Sequence, residues 1–201
     1  MVIRAMPLEL RGRRVLLRPL GTADFEEWQR VRRRCRDWLV RWEPVATAGA
    51  PDVVEDPKAF AARCGSRERE RQLGTGYAFG IFVDDRFAGE MNLSNVTRGA
   101  MQNCSVGYWV DEALAGQGYV PEALVLALRF AFEDLGLHRV EIGIIPRNHA
   151  SRRVVEKLGI REEGVALRFL QINGTWEDHI RYGITVEEWD ERGDALKKEW
   201  L

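Results

Sequence analysis

Two short stretches and two glutamates hold the residues of this chain whose types and spacing suit chemistry. The first stretch is Ala113-Leu114-Ala115-Gly116-Gln117-Gly118-Tyr119-Val120-Pro121. Two glycines one residue apart let a backbone bend tightly and approach a ligand with no Cβ in the way. Pro121 suits the first turn of a helix, whose unpaired N–H groups and positive dipole end form a site for a pyrophosphate. A flexible loop with no ligand satisfies the same residues. A dinucleotide fingerprint fits poorly because Pro121 stands in place of the third glycine, and the absence of lysine argues against a Walker-type loop. The second stretch is Asn148-His149-Ala150-Ser151. Asn148 and Ser151 fall in the first turn of a helix, where Asn148 caps the backbone or the pair holds a ligand atom. Glu43 and Glu90 are the carboxylates suited to accept or relay a proton. His149 and His179 read as structural.

These residues need elements to position them. Leu8 to Leu20 reads as strand and turn, and Thr22 to Trp42 as a helix with Phe25, Trp28, Val31, Cys35 and Leu39 on one face and Asp24 and Glu27 as its capping box. Trp42-Glu43-Pro44 ends it, because a residue before proline leaves the α region. Asp56 to Arg71 reads as a highly charged helix with a solvated face. Tyr77–Val83, Phe87–Leu93 and Cys104–Val110 read as three strands. Asp84-Asp85-Arg86 joins the first two, and a polar connection from Val96 to Asn103 precedes the third. The glycine loop, Asp111 to Gly118, leads to a helix from Pro121 to Leu135 with Gly136 at its C-cap. A strand from Arg139 to Ile145, a helix from His149 to Leu158 closed by Gly159, and strands Val165–Ile172 and Trp176–Ile184 around Asn173-Gly174 complete the order. The tail from Val186 to Leu201 is charged and weakly helical. The pattern predicts one α+β domain over residues 1–201, built on a mixed sheet.

Of the 201 residues, 45% are hydrophobic and 30% charged, with a net charge of −1. That balance gives no global reason to bind nucleic acid or an anionic membrane. Cys35, Cys64 and Cys104 are odd in number and lack metal-ligand spacing, which predicts reduced thiols and no metal. Charged residues from Arg4 onward interrupt any leader of signal-peptide length, and no apolar stretch has the length of a membrane span, so a cytoplasmic protein is expected.

Taken together, the two strand-to-helix junctions resemble the GNAT superfamily of N-acetyltransferases. Within it the chain is similar to the RimJ-type ribosomal-protein alanine N-acetyltransferases. Trp42-Glu43-Pro44-Val45, Asn92 to Gly99, Gly107-Tyr108 and Gly116 to Tyr119 carry that likeness, with His138-Arg139, Glu156 to Gly159 and Gly174 to His179. The resemblance implies a mostly antiparallel sheet, splayed at its middle strands and flanked by helices. It also implies acetyl-coenzyme A as cosubstrate, held by Tyr108, Trp109, Val110, Ala115, Gly116, Gln117, Gly118, Tyr119, Val120, Asn148 and Ser151. The acceptor it implies is the N-terminal alanine or serine of a ribosomal or other protein, handled by a monomer or homodimer. A small-molecule amine is the alternative acceptor, and a non-catalytic acyl-coenzyme A module the alternative role. Ala113 replaces the usual Gln or Arg at the head of the loop. Val155 stands where many relatives have a tyrosine acid, seven residues after the strand-end Asn, and Gly143 where some have a basic glutamate. Ser151, with Asn148 beside it, is therefore expected to serve the departing sulfur, and Glu43 or Glu90 the amine.

Overall fold

The computed structural model describes residues 8–45 and 49–201. Residues 1–7, part of the stretch read above for a leader, lie outside them. Eight strands form one sheet: β1 (Leu10–Arg11), β2 (Val15–Arg18), β3 (Tyr77–Val83), β4 (Arg86–Thr97), β5 (Asn103–Val110), β6 (Arg139–Ile144), β7 (Arg161–Ile172) and β8 (Thr175–Thr185). Their spatial order is β1-β2-β3-β4-β5-β6-β8-β7. Every pairing is antiparallel except that of β5 with β6. That parallel pairing runs only from Asn103↔Arg139 to Ser105↔Glu141. Beyond it the strands part, and the edge of β5 from Val106 onward loses its backbone partner on that side. An unpaired strand edge inside a protein demands other hydrogen-bond partners.

Alternation along the strands divides the interior in two. Ile81, Met91, Val140 and Ile184 point to a core completed by Leu124 and Leu128 of helix α4 (Tyr119–Arg129). Phe82 and Phe87 point the other way, toward Trp28 and Val31 of α1 (Phe25–Arg34), Leu39 of α2 (Arg36–Leu39) and Phe60 of α3 (Pro57–Leu73). Phe60 is fully buried against Phe25 and Trp28, so α3 is less solvated than its charges suggest. The helix expected over Thr22–Trp42 is broken at Cys35, where Cys35 Sγ donates to Asp111 Oδ1 at 3.2 Å and Arg34 pairs with the same carboxylate. Its start is also different. Asp24 accepts from Gly21 N at 2.8 Å and pairs with Arg18, while Glu27 binds Arg86.

Helix α4 begins two residues earlier than expected, and Val120 to Leu128 are all buried. It is apolar all round because sheet, α5 (His149–Lys157) and α6 (Val186–Trp200) enclose it. A π-turn over Phe130–Asp134 then replaces the expected last turn. The tail is a capped 15-residue helix rather than a weak one. Thr185 and Glu188 form its capping box, and Trp189 stacks on Phe132 at 5.6 Å. Asn173 and Gly174 have φ of 45° and 81°, the left-handed pair a tight hairpin requires.

Candidate active site

Where β5 and β6 part, a cleft of about 790 Å³ opens through the sheet. One flank is the glycine loop and the start of α4; the other is the start of α5. Gly116 (φ 79°) and Gly118 (φ 89°) sit in the left-handed region, and Gly118 caps α4 with no side-chain partner for the helix's first N–H groups. This is the backbone arrangement that holds a pyrophosphate. Ala115, Gly116, Gly118, Tyr119 and Val120 line the cleft. Gln117 does not: its side chain donates to Ala113 O at 3.0 Å and closes the loop on itself.

The loop is fastened by residues that the sequence reading overlooked. Arg14 Nη1 donates to Gln117 O at 3.1 Å, and Arg14 Nε to Glu122 Oε2 at 3.1 Å. Glu122 Oε1 also accepts the backbone N–H groups of Arg14 and Val15 at 2.6 and 3.0 Å. Glu122 is only 1% exposed. Its one visible signal in the sequence is a lone carboxylate in an apolar helix, which is tolerable in a core only when fully partnered.

Asn148 and Ser151 meet as their spacing implied: Asn148 Oδ1 accepts Ser151 N at 3.1 Å, capping α5. Ser151 Oγ then donates to Tyr108 Oη at 2.9 Å, and Tyr108 Oη to Ser151 O at 3.2 Å. Burial pushes the Tyr108 phenol well above its ordinary range, with the Ser151 hydrogen bond only partly opposing, so it stays protonated. A tyrosine hydroxyl thus lines the cleft from the neighbouring strand β5, while position 155 is a buried valine. Tyr108 faces α5, whereas Trp109 faces α1, packed on Phe87 at 5.7 Å with Arg32 over its ring at 5.1 Å. Both, with Val110, line the cleft.

The face of the sheet opposite Ser151 carries Trp38, Trp42, Glu43 and Pro44, with Leu170, Ile172 and His179 from the β7–β8 hairpin. Asn173 N donates to Glu43 O at 2.9 Å, so the two walls are joined. Arg147 reinforces the join, lying over the Trp42 ring at 5.4 Å and donating to Glu177 at 2.7 Å. The Glu43 carboxylate accepts from Arg32 Nη1 and Nη2 at 2.6 and 2.7 Å. Glu90 is not in the cleft. β4 aims it at Trp28 Nε1, 2.7 Å away, and at Arg63 of α3, beside a separate cavity of about 40 Å³. Two residues along the same strand face, Asn92 does line the cleft, and its Oδ1 is buried with no hydrogen-bond partner among the described residues. Among the described residues, no three His, Cys, Asp or Glu side chains gather as metal ligands.

This geometry, a splayed parallel pair with a backbone cradle beside it, has counterparts among known proteins. Residues 14–161 match the family model described as an acetyltransferase (GNAT) domain. The protein belongs to the GNAT acetyltransferase family. "Probable N-acetyltransferase YjcK" of Bacillus subtilis (strain 168) is 37% identical over 172 residues, covering 85% of this chain and 93% of that one. The "[Ribosomal protein uS5]-alanine N-acetyltransferase" of Escherichia coli (strain K12) is 32% identical over 156 residues, 77% of this chain and 78% of that one. The structure of Mycobacterium smegmatis RimJ in complex with CoA-disulfide superposes with a TM-score of 0.88 at 32% identity, covering 96% and 94% of the two chains. The chain is therefore a GNAT acetyl-coenzyme A-dependent N-acetyltransferase of the ribosomal-protein type, with acetyl-coenzyme A as cosubstrate and an α+β fold as expected. No helix among the described residues is long and apolar enough to cross a membrane.

Proposed function

We propose that this GNAT enzyme acetylates the N-terminal α-amino group of a protein, with alanine or serine as the first residue and a ribosomal protein as the acceptor class. The observation that carries the reading is the roofed acceptor half of the cleft. Trp42, Pro44, Leu170 and Ile172 make it apolar, and the Glu43–Asn173 bond closes it over. Such a slot admits a slender chain end with a small first side chain. The charges facing it are matched, since Arg32 neutralises Glu43. A group of fixed positive charge gains nothing there, and an amine that is readily neutral is favoured. A protein α-amino group, with a pKa of about 7.7–8.0, meets that condition; a lysine side chain near 10.4 does not. The 32%-identical Escherichia coli relative named for alanine acetylation supports the same reading.

In this account the pyrophosphate of the cosubstrate lies on the Gly116–Gly118 backbone, and its amide-bearing arm pairs with the free edge of β5. The N–H groups between Val106 and Val110 polarise the acetyl carbonyl. The amine nitrogen bonds the carbonyl carbon, the carbon–sulfur bond breaks, and the thiolate is met by the Ser151–Tyr108 hydroxyl pair. The test is coenzyme A release with an Ala-initiated peptide, an N-terminally blocked peptide bearing lysine, and a panel of small amines. The Ala peptide should be turned over, with a rate that climbs with pH and levels off near about 8, as the amine becomes neutral. Efficient acetylation of the blocked lysine peptide, or of small amines alone, contradicts the proposal.

A further inference from the structure

Both carboxylates that the sequence offered as proton acceptors are held by arginines, yet the amine must lose a proton. Among the described residues, His179 is the remaining side chain on the acceptor wall that can take up a proton. It is 3% exposed and lines the cleft. Its neighbour Ile180 points into the core under α4, so His179 faces the opposite side of the sheet from Tyr108 and Ser151. Its Nδ1 lies 3.0 Å from Glu177 O. A carbonyl only accepts, so Nδ1 carries the hydrogen, and in the neutral ring Nε2 is a bare lone pair. Phe169 packs edge-on against the ring at 5.7 Å and fixes its orientation. The Cδ2 atom, bonded to Nε2, is 3.6 Å from where a Cβ on Gly143 would stand. The imidazole thus overlies Gly143, the position on β6 that lacks a carboxylate in this chain, at the mouth of the splay.

We propose that His179 is the general base of the transfer. As the amine nitrogen donates its pair to the acetyl carbon, Nε2 takes the proton that nitrogen sheds. The carbon–sulfur pair leaves with the coenzyme as a thiolate, which hydrogen bonds from Ser151 and Tyr108 stabilise on the far side of the sheet until it takes a proton from water. The base and the hydroxyl donors lie on opposite faces, so neither occupies the other's partner. This inference rests on acetyl transfer to an amine as proposed above, but not on which amine.

The experiment is chemical rescue. His179→Ala and His179→Gln are assayed with whichever amine the wild type acetylates, peptide or small molecule; where it acetylates none, the slow hydrolysis of acetyl-coenzyme A by water supplies the readout. Turnover should fall by roughly 10²- to 10⁴-fold in both variants. The melting temperature and its shift with acetyl-coenzyme A should stay those of the wild type. Added imidazole should restore His179→Ala by at least about ten-fold, while pyrrole, the same shape without a basic nitrogen, should restore nothing. A purely structural histidine predicts no such difference. If His179→Ala does not fold, the loss in His179→Gln decides the matter. Activity within about three-fold of wild type in either folded variant, or no rescue by imidazole in a folded His179→Ala, overturns the proposal.

Discussion

Tyr108 and Ser151 lie 43 positions apart in sequence and within one hydrogen bond in space. The Asn148–Ser151 spacing was legible because a helix cap is a local device, readable from four consecutive residues. The partnership with Tyr108 was not, because only the splay of β5 from β6 brings the phenol under α5. The same limit hid His179, whose Nδ1 is set by a backbone carbonyl that no side-chain pattern reveals. It also misplaced Glu90, for a carboxylate on a strand reads alike whether it meets a substrate or an arginine. The phenol remains protonated, and in the proposed mechanism it and the Ser151 hydroxyl are the donors offered to the leaving sulfur. Ser151→Ala and Tyr108→Phe should each lower turnover by roughly 10- to 1000-fold, the scale of one lost polar stabiliser of the transition state. Acetyl-coenzyme A affinity, measured by titration calorimetry, should barely change. Full activity in both variants would leave the thiolate to water.

Glycine spacing and the helix that follows it are local features too, so the tight turn at Gly116 and Gly118 and the helix behind it were legible. What lies over the turn is tertiary: Arg14, just before β2, and Trp200, at the end of α6, both approach Gly118. Helix α6 was underrated because its charged residues dominate its composition, while the few residues that pack it are Trp189, Gly193 and Leu196, with Val186 and Trp200 partly buried beside them. The long first helix was overrated because its apolar period continues through Cys35, where contacts with Asp111 interrupt the backbone. Gly118 is the position at which the element account is most exposed to test. Its φ of 89° disfavours any side chain, and a Cβ there would meet Arg14 Nη2 at 3.1 Å. In Gly118→Val the rise in melting temperature given by acetyl-coenzyme A in the wild type should largely vanish, since it comes from binding to the folded state alone. A preserved shift would place the pyrophosphate elsewhere.

Across the whole molecule, the near-zero net charge conceals many paired charges, and these set the response to acid. Arg139 beside Glu163, Arg161 beside Glu188 and Arg71 beside Glu68 hold those carboxyls below their ordinary range. A carboxyl depressed in the folded state stabilises it above the unfolded pKa of about 4.3 and loses that contribution as pH falls toward the folded value. The melting temperature should therefore be nearly flat from about pH 7 to pH 5 and drop below about pH 4. A maximum near pH 4 would show that these pairs do not form. Topology at this scale was legible in outline, because the order of strands and helices and two glycine-marked junctions suffice for the family. The register at which β5 and β6 part was not, since it depends on pairings between distant strands. That parting matters most for the central claim, that the cleft presents acetyl-coenzyme A to a protein's N-terminus. Mass spectrometry of protein N-termini from cells with and without this gene tests it most directly. One or a few proteins beginning with alanine or serine should lose their N-terminal acetyl group when the gene is absent; an unchanged set of acetylated N-termini would contradict the account.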